Sequence, residues 1–324
     1  MDFEVMSTPR IVRVAAVQAE SVDFDLQANI EKVVKYITEA AQGGAKLVGF
    51  SEVFVPGYPY WIWARSVDME LVQKYIASSL KIDSPEMRLV CATAKENNIA
   101  VFLGFVENDE RSLYIAQALI GADGEIKMTR RKIKPTHMER TVFGDGSGAS
   151  LNNVIDLPGI GKVGGLCCWE HSQPLLRHHT SSLGEEIHVA AWPPMLTQNP
   201  GKDLWSTSAE GAQNLTRTHS IEGGCFSLYI NAVLSKKNCE VQNTTSGALF
   251  YTSGGGLTAI YAPDGSDISE NTLGVEEEGL VFANLDFSEI NRTKHFLDTT
   301  GHYSRPDLLW LGTDTREKKH VRLE

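Results

Sequence analysis

Three short segments of the sequence carry side chains suited to covalent hydrolysis. Glu52 follows the apolar run KLVGF after one serine, Lys132 lies in TRRKIKPTH, and the adjacent Cys167 and Cys168 follow VGGL. A carboxylate can take the proton of a thiol, and the thiolate can then attack an electrophilic carbon. A lysine ammonium can stabilise the negative charge that develops on nitrogen or oxygen. Together these groups predict a hydrolase that needs neither a metal nor an organic cofactor.

Glu52 is placed at the end of a predicted strand, where ligand sites collect in α/β sheets. The loop that follows contains the stiff aromatic segment PGYPYW. Such a loop can enclose a pocket and desolvate the carboxylate, which raises its pKa toward that of a useful base. The alternative reading of Glu52 is a solvated loop carboxylate.

Residue types alone leave two choices open. Lys132 and Lys134 have the same parity along a strand, so alternation does not separate them, and Glu139 could pair with either. Adjacent cysteines point to opposite faces of a strand, so at most one of Cys167 and Cys168 faces a site. A helix is predicted soon afterwards, and such a strand-to-helix elbow exposes a nucleophile and lowers a thiol pKa. The adjacent pair lacks ligand spacing, so no metal site is predicted.

Alternating strands and helices must position these segments. Apolar runs and helical periodicity together predict layered α/β architecture, with a mixed sheet, helices outside it and one domain. The predicted strands span residues 11–18, 46–50, 99–105, 113–120, 125–132, 161–167, 187–192, 225–233, 257–261 and 279–286, and the predicted helices span residues 29–42, 84–97, 172–183 and 206–222.

The composition excludes several classes of protein. The 324 residues include 41 acidic and 30 basic side chains, a net charge of −11, which argues against a nucleic-acid-binding protein. No run approaches the ~18 apolar residues of a membrane span. The first ten residues lack the order of a signal peptide, and an odd number of cysteines, five, fits reduced thiols. We therefore expect a cytoplasmic enzyme with a small-molecule substrate that binds neither nucleic acid nor membrane.

The three motifs together resemble those of nitrilases in the carbon–nitrogen hydrolase superfamily. They occur in the order of that family, as FSEVFVPGYPYWIW, RRKIKPTHMERTVFGDG and GGLCCWEH. The resemblance extends from VRVAAVQAE to GHYSRPDLL and covers nearly the whole chain. It implies a four-layer αββα sandwich, formed by residues 1–324 as a single domain with a short C-terminal tail from about residue 306.

The resemblance also implies a role for each candidate. The acting lysine directly follows the arginine pair, which is Lys132, and the nucleophile directly precedes Trp-Glu, which is Cys168. Glu52 is the implied general base, and Glu139 is implied to support the lysine and orient the substrate. The implied reaction converts a nitrile and two waters into a carboxylic acid and ammonia, through a thioimidate and then an acyl-thioester. It uses no cofactor.

A hydrophobic substrate pocket completes the prediction. We expect Tyr58, Trp61, His137, Trp169 and Trp192 to line it, together with the residues that follow the last of these. Aromatic walls suit an aromatic or arylaliphatic nitrile, although they suit other hydrophobic ligands as well.

Two other activities on the same scaffold, cyanide hydratase and amide hydrolase, are the main alternatives, and a catalytically silent relative that binds metabolites or partners is a more distant one. His171 resembles the residue that nitrilases carry at this position, whereas related cyanide hydratases commonly carry asparagine there. The resemblance further implies a homodimer or a higher homo-oligomer, with extension into a spiral left open.

Overall fold

The computed structural model describes residues 10–196 and 204–319 together with residue 321. Its strands are β1 Ile11–Gln18, β2 Leu47–Gly49, β3 Ala100–Asp109, β4 Ser112–Ile120, β5 Ile126–Arg131, β6 Val154–Leu157, β7 Gly161–Cys167, β8 Ile187–Trp192, β9 Phe226–Asn231, β10 Ala259–Tyr261 and β11 Gly279–Asp286. Its α-helices are α1 Leu26–Gln42, α2 Met69–Ser78, α3 Pro85–Glu96, α4 Pro174–Ser182, α5 Ala209–Gly223, α6 Lys236–Val241 and α7 Ser288–Phe296.

Two mixed sheets form the centre of the described part of the chain. The first has six strands in the order β11-β1-β2-β3-β4-β5, and the second has five in the order β10-β9-β8-β7-β6. Apolar side chains of both sheets share one core, to which Val14 and Phe102 contribute from the first and Val189 and Leu228 from the second. The two sheets therefore pack face to face.

Helices cover both outer faces of this pair of sheets. On the first sheet, Ile37 of α1 and Val90 of α3 belong to the same buried cluster as Val48 and Val101. On the second sheet, α5 packs against β9 and against α4. The layers are thus helix, sheet, sheet, helix, and the predicted αββα class is confirmed.

Strand direction brings the candidate residues to one edge of the first sheet. β2 and β3 are parallel, and β4 is antiparallel to both β3 and β5. β5 therefore ends at the same edge as β2, and the next residues along the chain include Glu52 after β2 and Lys132 after β5. Gly104 of β3 permits this arrangement because a Cβ atom there would collide with the carbonyl oxygen of Ser51.

The predicted element boundaries differ from the observed ones by up to four residues, and one of these differences lies next to the site. The helix predicted over residues 172–183 begins instead at Pro174, after a 3-10 turn over Cys168–Ser172. Proline fixes φ and lacks an N–H, so it favours the first position of a helix. The short elements α2, α6, α7 and β6 were not predicted. None of the helices in the described ranges has both the length and the hydropathy to cross a bilayer.

Candidate active site

Lys132 lies at the centre of a buried ionic cluster. Its Nζ atom donates to Glu52 Oε1 at 2.8 Å and to Glu139 Oε2 at 2.8 Å. Burial disfavours the charged amine, but the two carboxylates, Glu139 and Glu52, reverse this effect and raise the pKa of Lys132 well above its ordinary value. Lys134 is instead paired with Asp145 at the surface. The geometry therefore distinguishes the two lysines that residue types left equivalent.

Glu139 connects the lysine to the aromatic loop. Its second oxygen, Oε1, accepts a hydrogen bond from the Tyr58 hydroxyl at 3.0 Å, and Trp63 Nε1 donates to the same hydroxyl at 3.2 Å. The backbone N–H of Thr136 donates to Glu139 Oε2 at 2.6 Å. These bonds restrict the carboxylate to one orientation, with Lys132 beside it.

Glu52 keeps one carboxylate oxygen available. Its Oε2 atom is buried and has no hydrogen-bond partner among the described residues, whereas Oε1 accepts from Lys132. Burial raises the pKa of Glu52 to about 8, even though the Lys132 ammonium acts in the opposite direction. A carboxylate with this pKa and a free buried oxygen is suited to taking up a proton near neutral pH.

Cys168 is the first residue after β7 and occupies a strained elbow. Its φ is +48°, in the left-handed region that non-glycine residues rarely adopt, and such outliers cluster at active sites. Burial raises the pKa of its thiol well above the ordinary value, Glu52 adds to this, and Lys132 lowers it. The resting side chain is therefore a thiol that needs a neighbouring base to become a nucleophile.

The two adjacent cysteines have different surroundings. Cys168 lines a cavity that also contacts Tyr58 and Glu139. Cys167 is fully buried in an apolar cluster with Trp61 and Leu234. This separation agrees with the alternation expected along β7.

A buried ion pair, which the sequence reasoning missed, joins the lysine segment to the cysteine segment. Glu170 accepts two hydrogen bonds from Arg130, at 2.7 and 2.9 Å, and one each from the backbone N–H groups of Ile133 and Cys167, both at 2.8 Å. Arg130 comes from the first sheet and Glu170 from the turn after β7 of the second. The position of Glu170 directly after Cys-Trp was the available signal.

The cavity beside Cys168 has a volume of about 280 Å³ and largely apolar walls. Its wall includes Cys168 and Glu139 together with three of the residues that we expected to line a substrate pocket, namely Tyr58, His137 and Trp169. Further wall residues are Trp63, Thr136, Pro193, Pro194, Met195, Leu196, Thr207, Leu249 and Phe250.

The other two residues that we expected to line the pocket, Trp61 and Trp192, lie outside this wall. Trp61 packs against Tyr75 with ring centroids 5.0 Å apart, and Trp192 stacks behind the wall on His171 at 5.2 Å. Residues Tyr60–Trp63 form a 3-10 helix, in which residues two apart project in different directions. Trp63 consequently reaches the cavity in place of Trp61.

Comparison with known proteins agrees with this geometry. The family model described as Carbon-nitrogen hydrolase matches residues 13–295. The chain belongs to the carbon–nitrogen hydrolase family. An arylacetonitrilase of Hypocrea virens is 54% identical over 97% of this chain and 94% of the relative. An arylacetonitrilase of Aspergillus kawachii is 51% identical over 96% of this chain and 94% of the relative. The prediction of a nitrilase within this superfamily is confirmed, and with it a hydrolase of carbon–nitrogen bonds.

Solved structures of more distant members of the carbon–nitrogen hydrolase family share the fold. A carbon–nitrogen hydrolase from Helicobacter pylori G27 superposes with a TM-score of 0.69 at 15% identity, covering 89% of this chain and 93% of the other. An amidase from Nesterenkonia sp. AN1 superposes with a TM-score of 0.63 at 18% identity, covering 87% and 92%. At these identities the likeness concerns the fold.

Proposed function

We propose that this nitrilase hydrolyses arylacetonitriles to arylacetic acids and ammonia, with Cys168 as the nucleophile, Glu52 as the general base and Lys132 as the stabilising cation. The observation that supports this proposal most directly is the buried cluster of Lys132, Glu52 and Glu139, which lies beside a cavity that Cys168 lines. Relatives named arylacetonitrilases at 54% and 51% identity support the substrate class.

The first half-reaction attaches the substrate to the enzyme. Glu52 takes the thiol proton through its free Oε2, and the Cys168 sulfur attacks the nitrile carbon. The C≡N bond becomes C=N, and the nitrogen receives the proton, which gives a thioimidate. The Lys132 ammonium stabilises the negative charge that builds on the nitrogen during attack. Glu139 holds the lysine in place for this role.

The second half-reaction removes nitrogen and then the acyl group. Glu52 takes a proton from water, which adds to the thioimidate carbon, and the resulting tetrahedral species expels ammonia to leave an acyl-thioester. A second water attacks this thioester in the same way, and the C–S bond breaks to give the carboxylic acid and the Cys168 thiol. Two waters are consumed for each ammonia released, so atoms and protons balance.

The cavity supports a substrate with one aromatic ring and a short polar end. Its volume of about 280 Å³ lies near the small end of ligand pockets. Phe250, Trp63 and Trp169 contribute aromatic rings to its wall, and Cys168 with Glu139 supplies the polar end. An arylacetonitrile places its ring among the former and its nitrile against the latter.

A nitrile panel tests this proposal. Phenylacetonitrile, mandelonitrile, benzonitrile, fumaronitrile, cyanide and simple amides are supplied, and ammonia and amide are both quantified. We expect ammonia with little amide, fastest from phenylacetonitrile. Amide from cyanide alone would instead identify a hydratase, and turnover restricted to amides would identify an amidase.

Substitution of the two cysteines tests the nucleophile. We expect Cys168→Ala to abolish ammonia release, because no thiol then faces the cavity. The matched control, Cys167→Ala, removes the neighbouring thiol from the apolar cluster and retains most of the turnover. Full activity of Cys168→Ala would disprove the assignment.

We further propose that residues 1–324 form one catalytic domain with a tail from about residue 306, and that the protein assembles as a homodimer or a higher homo-oligomer in the cytoplasm, with a nitrile and water as its reaction partners. The support for assembly is a set of large apolar side chains at the surface, including Phe296, Leu309 and Trp310. Light scattering coupled to size-exclusion chromatography measures the subunit number, and cell fractionation measures the compartment.

A further inference from the structure

A row of buried polar side chains lies directly behind the nucleophile. His171 Nδ1 lies 2.7 Å from the carbonyl oxygen of Cys168, and His171 Nε2 lies 2.9 Å from His188 Nε2. His188 Nδ1 lies 2.8 Å from Glu185 Oε2, and His219 Nε2 lies 2.5 Å from Glu185 Oε1. All four side chains are at least 98% buried, although none lines the cavity. The reaction described above does not use them.

The hydrogen bonds in this row fix the number of protons that it holds. A carbonyl oxygen only accepts, so His171 Nδ1 must carry a proton. One further proton is needed between the two Nε2 atoms of His171 and His188, and a third is needed between His188 Nδ1 and Glu185. Two neutral imidazoles supply two protons. Three bonds therefore require one extra proton, shared among His171, His188 and Glu185.

Burial and charge balance act in opposite directions on this proton count, because burial disfavours a charged imidazole whereas the Glu185 carboxylate favours one. Burial opposes the charged forms in this cluster, but the neighbouring His188 and His219 lower the pKa of Glu185 and keep it ionised. Burial also lowers the pKa of His171 and of His188, whereas the Glu185 carboxylate acts to raise that of His188. With the shared proton the cluster is neutral overall, and without it a lone carboxylate would remain buried beside two unprotonated nitrogens.

The row acts on the nucleophile through one peptide group. The Cys168 carbonyl, held by His171, belongs to the same planar peptide as the Trp169 N–H. Burial dominates the pKa of the Cys168 thiol and raises it, while the Trp169 N–H interacts with the sulfur and lowers it. A bond that fixes the carbonyl therefore also fixes the N–H that supports the thiolate. This restraint matters because Cys168 has a strained φ of +48°.

We propose that His171, His188 and Glu185 are positioning residues that share one extra proton and hold the Cys168–Trp169 peptide so that its N–H faces the sulfur. This inference rests on the proposed role of Cys168 as the nucleophile. Two cations, Arg177 near His171 and Arg130 near His188, face the row from adjacent elements, and the Cys225 thiol lies within 4.8 Å of Glu185 and His219. All three are present in every variant below, so their effect on titration is constant.

Two substitutions of Glu185 separate its hydrogen bonds from its charge. In Glu185→Gln, the amide nitrogen can donate to His188 Nδ1 while the amide oxygen accepts from His219, so all bonds form without the extra proton. In Glu185→Leu, both bonds are lost. The matched control is Glu186→Leu, the same change one residue along the chain, where the carboxylate pairs with Arg10 at the surface.

Kinetics and thiol alkylation provide the readouts. Glu185→Leu is expected to lower kcat for phenylacetonitrile roughly 10- to 100-fold, as misplaced catalytic groups do, with KM within about twofold of wild type. The pH at which iodoacetamide half-maximally alkylates Cys168, followed by mass spectrometry of its peptide, should rise by roughly one unit. Loss of a carboxylate alone would lower this pH. The kcat of Glu185→Gln should stay within about threefold of the wild-type value, and the kcat of Glu186→Leu should equal the wild-type value.

The outcomes are distinguishable. A wild-type kcat and alkylation profile in folded Glu185→Leu would overturn the inference while leaving the proposed nucleophile intact. A wild-type protein that neither releases ammonia from nitriles nor is alkylated at Cys168 would overturn the proposed function itself. If Glu185→Leu does not fold, proton and nitrogen-15 NMR of histidine-labelled protein counts the protons directly. His171 and His188 together should carry three N–H protons in the wild type and two in Glu185→Gln. Two in the wild type would contradict the proton count.

Discussion

Glu52 shows how burial sets the chemistry of a single residue. The carboxylate is enclosed beside Lys132, and desolvation outweighs the attraction of the ammonium, so its pKa rises to about 8. The same burial keeps Cys168 as a thiol in the resting state. Each group is thus in the wrong protonation state for spontaneous reaction at low pH, and the carboxylate must be ionised before it can accept the thiol proton.

The pH dependence of kcat/KM follows from this carboxylate. Protonated Glu52 cannot act as a base, so we expect kcat/KM to fall about tenfold per unit as pH decreases below about 8 and to level off above it. Initial rates with phenylacetonitrile between pH 6 and 9 measure this, with the unfolded fraction monitored by circular dichroism as the control. A profile that is flat from pH 6 to 8 would contradict the proposed role.

The two lysines offer a matched comparison. Lys132→Ala leaves Glu52 and Glu139 buried without their cation, which we expect to cost about 3–5 kcal/mol of the free energy of unfolding and to abolish turnover. Lys134→Ala removes an exposed pair with Asp145, for which the expected change is within about 1 kcal/mol, with activity retained. Urea denaturation and ammonia release measure both variants. Equal effects of the two substitutions would be inconsistent with this geometry.

At the scale of elements, strand periodicity located most of the fold. The bounds predicted for β1, β7, β8 and β11 agree with the structure, because long apolar runs leave little choice of conformation. The short helices α2 and α6 escaped detection, since so few turns give a weak periodic signal. The 3-10 helix over Tyr60–Trp63 was not predicted for the same reason. Without this turn in the prediction, Trp61 was expected in the cavity wall in place of Trp63.

Candidate residues were more predictable than their neighbours. Glu52, Lys132, Glu139 and Cys168 lie together because each follows or caps an element whose end the sequence marks. Glu170 lies only two residues after Cys168, but it is 40 residues from Arg130, and only the packing of the two sheets shows that they meet. Spacing in one sequence contains no information about that contact.

Gly104 links the packing of β3 to the position of Glu52, the proposed base. A Cβ atom here would collide with the carbonyl of Ser51, the residue before Glu52. We expect Gly104→Ala to lower the free energy of unfolding by about 1–3 kcal/mol and to reduce kcat by displacing Glu52. The control is Gly274→Ala, where an added Cβ would make only ordinary contacts. Thermal unfolding and phenylacetonitrile turnover measure both, and wild-type behaviour of Gly104→Ala would show that the loop can yield.

At the scale of the molecule, the site exists only where two sheets meet. Glu52 and Lys132 follow strands of the first sheet, and Cys168 follows β7 of the second. The ion pair between Arg130 and Glu170 bridges the two. Catalysis therefore depends on the sandwich as a whole, yet all of these groups come from one chain.

Large apolar side chains are exposed away from the cavity, and they lead to a prediction about assembly. Leu309 and Trp310 are 85% and 81% exposed, and neither lines the cavity of Cys168. If these side chains are buried between subunits, the double substitution Leu309→Ser with Trp310→Ser removes about 25 cal/mol of association energy for each Å² of apolar area lost from the interface. We expect light scattering to show fewer subunits than in the wild type, while the protomer keeps its fold by circular dichroism. The control is the double substitution Glu110→Ser with Glu289→Ser, which removes no large apolar side chain from the surface. An unchanged subunit number would exclude the tail from the interface.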